Sequence, residues 1–135
     1  MIELKKAALD IGIITRNADP MVAFYHQVLG LPLESVIPMP SGGTMHRLKA
    51  GNSLIKIVQL DNPPAHSATP GGIPAATGCR YWTLYVSDLA AAVALCEQAG
   101  RRIAVPPKTI RAGVSIAMVE DPDGNWLELL ESNAV

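Results

Sequence analysis

The strongest constraint on the fold of this chain is that it runs through one series of local signals twice. The first half opens on Leu9-Asp10-Ile11-Gly12-Ile13-Ile14, a short β-branched run that ends in polar Thr15-Arg16-Asn17. Asp19 and Pro20 read as an N-cap and first helical residue, and the stretch MVAFYHQVL after them is closed by Gly30. Val22, Tyr25, Val28 and Leu29 recur at helical spacing and are expected to face a sheet. LPLESVIPM then predicts a strand, and TMHRLKAGNSLIKIVQL a hairpin turning near Gly51-Asn52. The second half repeats the order. Tyr81-Trp82-Thr83-Leu84-Tyr85-Val86 predicts a strand, Ser87 or Asp88 can cap the helix LAAAVALCEQA, and Gly100 closes it. RRIAVPPKT predicts a strand and GVSIAMVEDPDGNWLELLE a second hairpin. Matching segments stand about 70 residues apart, which marks an internal duplication.

Each half therefore reads strand, helix, three strands. The expected fold is α+β, a single domain of two tandem modules at about 7–61 and 79–132. DNPPAHSATPGGIPAATG, rich in Pro, Gly and Ala, joins them as a linker over about 62–78. Hydrophobic residues make up 49% of the 135 and charged ones 17%, enough apolar material for a core and too much for disorder. The formal net charge is −1 and the 11 Lys and Arg are spread along the chain, which argues against a nucleic-acid surface. No apolar stretch approaches the roughly 18 residues that a membrane span needs. The apolar run after Lys5 and Lys6 is too short for a signal peptide and is read as a strand. Cys79 and Cys96 lack metal-ligand or redox spacing, as expected of idle thiols in a cytoplasmic protein.

Three segments, FYHQVLGLPL (24–33), YVSDLAAAVALCEQAG (85–100) and EDPDGNWLELLE (120–131), carry a resemblance to the vicinal oxygen chelate superfamily. That superfamily takes in glyoxalase I, extradiol dioxygenases, methylmalonyl-CoA epimerase and the bleomycin- and fosfomycin-resistance proteins. The resemblance covers nearly the whole chain. It implies paired βαβββ modules forming a cupped mixed β-sheet, helices on the outer face and a ligand inside, in an architecture that hosts many chemistries. It also implies a homodimer by analogy.

In metal-using members four ligand positions lie on the first and fourth strands of each module. Carried onto this chain they fall at Asp10, Lys56, Tyr81 and Glu128. Strand alternation agrees. If Leu127 and Leu129 face the helices, Glu128 faces the cup with Trp126 and Leu130, and Lys56 looks inward while Ile55 and Ile57 pack outward. Only Glu128 keeps the residue type usual in the family. A lysine ammonium has no lone pair for a metal, and a protonated phenol, with an ordinary pKa of about 10, is a poor ligand. Asp10 and Glu128 could hold Mg²⁺ through waters, but Zn²⁺ or Fe²⁺ would lack its imidazoles. No cofactor is therefore expected. A charge cluster of Asp10, Lys56 and Glu128 is, with the Tyr81 hydroxyl hydrogen-bonded to one member.

Each of these residues has a plainer alternative. Glu128 could face solvent, Lys56 could guard an edge strand, and Tyr81 could be a core aromatic. Trp126 and Tyr85 either line the cavity or simply pack. His46 and Arg47 alternate on one strand, so only one of these two ligand-binding candidates can face inward. His26 and His66 are expected in solvent. Asp121-Pro122-Asp123-Gly124 lacks the acidic alternation of an EF-hand and is read as a hairpin turn. The leading functional expectation is a metal-free cup that binds a small organic molecule. Lys56, Tyr81, Glu128 and Asp10 are its acid–base candidates for isomerase, epimerase or lyase chemistry. The alternatives are a ligand-sequestering protein, and a metal-dependent glyoxalase- or dioxygenase-like enzyme with an altered ligand set.

Overall fold

The β-branched and leucine-rich segments pair into two four-stranded mixed sheets, one in each half of the chain. The computed structural model describes residues 1–135 and divides into two units, Met1–His66 and Ser67–Val135. In the first unit β1 (Ile11–Ile14) leads to a helix, α1 (Ala18–Val22), that continues as a π-helix over Ala23–Val28. β2 (Leu33–Pro38), β3 (Gly43–Ala50) and β4 (Ser53–Leu60) follow. The strand order is β1-β4-β3-β2, with β1 parallel to β4 and the other pairs antiparallel. The second unit has β5 (Tyr81–Tyr85), α2 (Leu89–Gln98), β6 (Ile103–Arg111), β7 (Val114–Glu120) and β8 (Trp126–Ser132). Its order is β5-β8-β7-β6, again with the first pair parallel. β4 and β8 are thus interior strands of their sheets.

Which face of each sheet meets its helix is fixed by one hydrogen bond per unit. The Gln59 side chain accepts from the Ala18 backbone N–H at the start of α1 (2.7 Å). Glu131 accepts from the Leu89 N–H at the start of α2 (2.8 Å). Both supply an acceptor for an N–H that no helical carbonyl can reach. Because side chains alternate along a strand, Gln59 shares its face with Ile55 and Ile57, and Glu131 shares its face with Leu127 and Leu129. All four of those apolar residues are buried, as expected of sheet faces covered by helices. α2 is also capped by Asp88, whose carboxylate accepts from the Ala91 N–H (3.0 Å), and buries Leu89, Val93 and Cys96. Burial pushes the Cys96 thiol up to about 11.

The first helix departs from expectation. Its N-cap is Asn17, in extended conformation, and not Asp19; helical backbone begins at Ala18 because Gln59 takes up that N–H. The buried seam is Ala18, Met21, Phe24 and Tyr25, while Val22, Val28 and Leu29 stay partly exposed. The reason is the π-helix, whose wider turn rotates later side chains away from the positions an α-helix would give them. His26, expected in solvent, is half-buried with Nδ1 2.8 Å from the Leu31 carbonyl.

The Pro/Gly-rich segment has neither strand nor helix, yet backbone carbonyls fasten it down. In the first unit Arg16 donates to Pro64 (3.1 Å) and Ala65 (2.7 Å). In the second, Arg80 donates to Gly72 (2.9 Å) and Thr69 (2.6 Å). Gly72, at φ +64°, lies so close to the Trp126 indole that a Cβ would overlap the ring. The β7–β8 connection is the hairpin turn expected. Asp121 Oδ1 accepts from the backbone N–H of Asp123 and of Asn125, both at 2.9 Å, which commits it to turn formation.

Candidate functional site

On the face of each sheet opposite its helix, the strand that pairs with the module's first strand carries one charged residue. On β4 it is Lys56, between Ile55 and Ile57; on β8 it is Glu128, between Leu127 and Leu129. The edge-guard reading of Lys56 fails, because β4 is flanked on both sides. Strand register then gives the neighbours. Gly12 and Arg47 stand beside Lys56, so this row reads Gly12, Lys56, Arg47 across the sheet. Thr83 and Met118 stand beside Glu128, giving Thr83, Glu128, Met118. The two rows occupy equivalent positions in the duplicated modules.

In the first unit Asp10, just ahead of β1, accepts from the Leu54 backbone N–H (2.8 Å) and from Lys6 Nζ (2.6 Å) through one oxygen. Its other oxygen lies 3.7 Å from Lys56 Nζ. The Lys6 hydrogen bond, the Leu54 N–H and the two ammonium charges together hold the Asp10 carboxyl below its ordinary value of 3.8. Arg47 Nε donates to Glu34 (3.1 Å). Arg47, and not His46, therefore shares the Lys56 face. His46 pairs with fully buried Ile57 on the helix-covered face, where its Nδ1 is buried without a protein partner. As a candidate for contact on the Lys56 face His46 is corrected, since alternation sends it the other way.

In the second unit Glu128 Oε1 accepts from the Thr83 hydroxyl at 2.7 Å. The expected hydroxyl was Tyr81; parallel register places Tyr81 beside Trp126 and brings Thr83 level with Glu128. Tyr81 and Tyr85 lie on the Glu128 face but are 48% and 60% exposed. Trp126 shares that face, yet it is only 8% exposed, covered by Gly72 and tied to Glu120 through its indole N–H (3.1 Å). Packing, the plainer reading, describes it. Beside it lies a cavity of about 50 Å³ lined in part by Thr69, Cys79, Arg80 and Asp123. Organic ligands occupy sites of roughly 300–1,000 Å³, so this space is too small for one.

The donor set does not suit a divalent transition metal. In neither unit do three His, Cys, Asp or Glu side chains converge. Asp10 is already shared between two ammonium groups, which repel a cation. Sequence reasoning missed Thr83, Gln59 and Glu131. Gln59 overlays Glu131 at the same offset as Lys56 overlays Glu128, and that repeat was the available signal.

A family model described as the Glyoxalase/Bleomycin resistance protein/Dioxygenase superfamily matches residues 8–129. The chain belongs to this superfamily. Its fold is shared by a glyoxalase family protein from Enterococcus faecalis, 26% identical, with 94% of this chain and 98% of that one covered at a TM-score of 0.73. A glyoxalase family protein from Bacillus cereus superposes at a TM-score of 0.81 with 16% identity and 98% of both chains covered. An antibiotic-binding protein from a Streptomyces species gives 0.70 at 19% identity, over 97% of this chain and 100% of that one. No curated protein matches the sequence. The duplicated modules are thus the superfamily's tandem modules. No helix is long and apolar enough to cross a membrane.

Proposed function

We propose that this superfamily member binds a small organic molecule on the sheet faces that carry Lys56 and Glu128, without a resident metal. Glu128 and Tyr81 in the second unit, and Lys56 in the first, are each candidates for proton transfer in an isomerase, epimerase or lyase reaction. The observation that carries the reading is the placement of Lys56 and Glu128. Both are charged, half-buried and on interior strands, where an apolar residue would be the stable choice. Glu128 has the equipment of a general base: a carboxylate oriented by one hydroxyl, on a face with Met118 and Leu130. Asp10 accepts two hydrogen bonds, from Lys6 and from the Leu54 N–H, and lies 3.7 Å from the Lys56 ammonium, so its first role is to close the start of β4 beside that charge.

A ligand-sequestering protein is the second reading, and the exposed Tyr81 and Tyr85 rings on the Glu128 face favour it as flat surfaces for a planar ligand. The two readings separate in one experiment. Ligands found by thermal-shift screening are incubated with wild type and with Glu128→Gln, and products are followed by mass spectrometry. Proton-transfer catalysis predicts that Glu128→Gln still binds while turnover falls by roughly 10²–10⁴-fold. Binding without product from wild type would leave sequestration standing.

A further inference from the structure

We propose that the Gly12–Lys56–Arg47 row of the first unit is the seat for the carboxylate of a small organic acid, an inference that rests on the small-molecule reading above and gives its ligand a charge. Two cations side by side on neighbouring strands disfavour the sheet unless something compensates them. Arg47 and Lys56 are such a pair, in direct antiparallel register. Their counter-ions are unequally supplied. Glu34 serves Arg47 at hydrogen-bond distance, whereas Asp10 must serve both Lys6 and Lys56.

Lys6, Lys56 and Arg47 against Asp10 and Glu34 leave one positive charge in excess. That charge belongs to Lys56. Lys6 takes the short contact at 2.6 Å, while Lys56 Nζ stands 3.7 Å from the carboxylate, too far for a hydrogen bond. Its three N–H donors therefore point to no acceptor in its own unit. The Lys56 side chain is 30% exposed, so the ammonium is accessible to a ligand from solvent.

Space for the anion lies on the β1 side. Gly12 is level with Lys56 on the same face, and a Cβ built there would meet nothing within 4 Å. The matching residue of the second unit is Thr83, whose hydroxyl fills that position and bonds Glu128. The first unit has exchanged the hydroxyl for open room beside an ammonium. The apolar rim suits the organic body of an acid better than a bare inorganic ion: Ile14 pairs with Val58 on β1, and Met45 with Val58 on β3. Lys56 supplies a point charge to the carboxylate, and Arg47, with Nε on Glu34 and Nη1 only weakly engaged by Met45 Sδ at 3.9 Å, adds a second cation beside it.

The test uses matched acids and amides (benzoate and benzamide, phenylacetate and phenylacetamide, hexanoate and hexanamide) with inorganic phosphate as a bare anion. Each is titrated into the full chain by thermal shift and calorimetry at low and high salt. The seat predicts that at least one acid binds tenfold or more tightly than its amide, that phosphate binds more weakly than that acid, and that salt reduces the preference. Gly12→Val puts a branched side chain into the open room, its Cβ meeting no neighbour, and should abolish acid binding while the unliganded melting temperature is kept or raised. Lys56→Met should remove the preference for acid over amide, and Lys56→Arg should retain it. Equal binding of acids and amides overturns the charge assignment and leaves the small-molecule reading intact. Undiminished acid binding by Gly12→Val overturns the location. Phosphate binding as tight as the best acid overturns the organic-acid assignment. Failure of every compound, charged and neutral, overturns both readings together.

Discussion

At residue scale, Asp10 shows how one carboxylate can serve structure and site together. It closes the open N–H of Leu54 at the start of β4 and is the negative charge that Lys6 and Lys56 share. Because Lys6, the Leu54 N–H and Lys56 favour its ionised form, its folded-state pKa lies below the unfolded value near 3.8. The stability it contributes is therefore present above that value and lost as pH falls through the lower, folded one. Urea unfolding of wild type and Asp10→Asn should show a gap near neutral pH that closes as the solution is acidified below pH 3.8. A gap that stays constant with pH would show that packing, not charge, is what Asp10 contributes. Glu128 is held differently, by the neutral Thr83 hydroxyl and by no cation of its own unit.

At the scale of elements, the two helices start by different means. α2 has a side-chain cap in Asp88 as well as the Glu131 acceptor. α1 has no side-chain cap at Asn17 and relies on Gln59 alone. Asp88→Ala should cost about 1 kcal/mol in chemical denaturation, the usual value of an N-cap, with Glu131 holding the helix start in place. A loss several times larger would mean that Asp88 is also a partner in tertiary packing. The order of elements along the chain, the hairpins and the α2 cap were legible because each rests on local chemistry: alternation, turn residues and a capping carboxylate. The α1 seam was not, because a π-helix and a glutamine from β4 reset it, and neither leaves a local sign.

For the whole molecule, family membership is settled, and the superfamily's frequent dependence on metal makes the behaviour of this chain toward chelators informative. A resident metal at a hundred times its dissociation constant would add about 2.7 kcal/mol to stability. The charge pattern at Asp10 and Lys56 predicts no such contribution. Exhaustive dialysis against EDTA should leave the melting temperature unchanged, and elemental analysis should find no stoichiometric metal. A clear drop that Zn²⁺, Mn²⁺ or Mg²⁺ restores would contradict the proposal. The same substitution that argues against metal, lysine at an interior strand position, is what supplies the proposed carboxylate seat.

The sequence by itself determined the duplicated modules, the family and the faces of Lys56 and Glu128. A twofold residue period and a repeat are properties of order along the chain. Register across strands decided the rest: Thr83 and not Tyr81 beside Glu128, Arg47 and not His46 beside Lys56, and open room at Gly12. It also showed that Trp126 lies beneath Gly72 and is almost fully buried. Those neighbours come from segments far apart in the chain. Alternation states which way a side chain points, but only the paired strands state what it meets there.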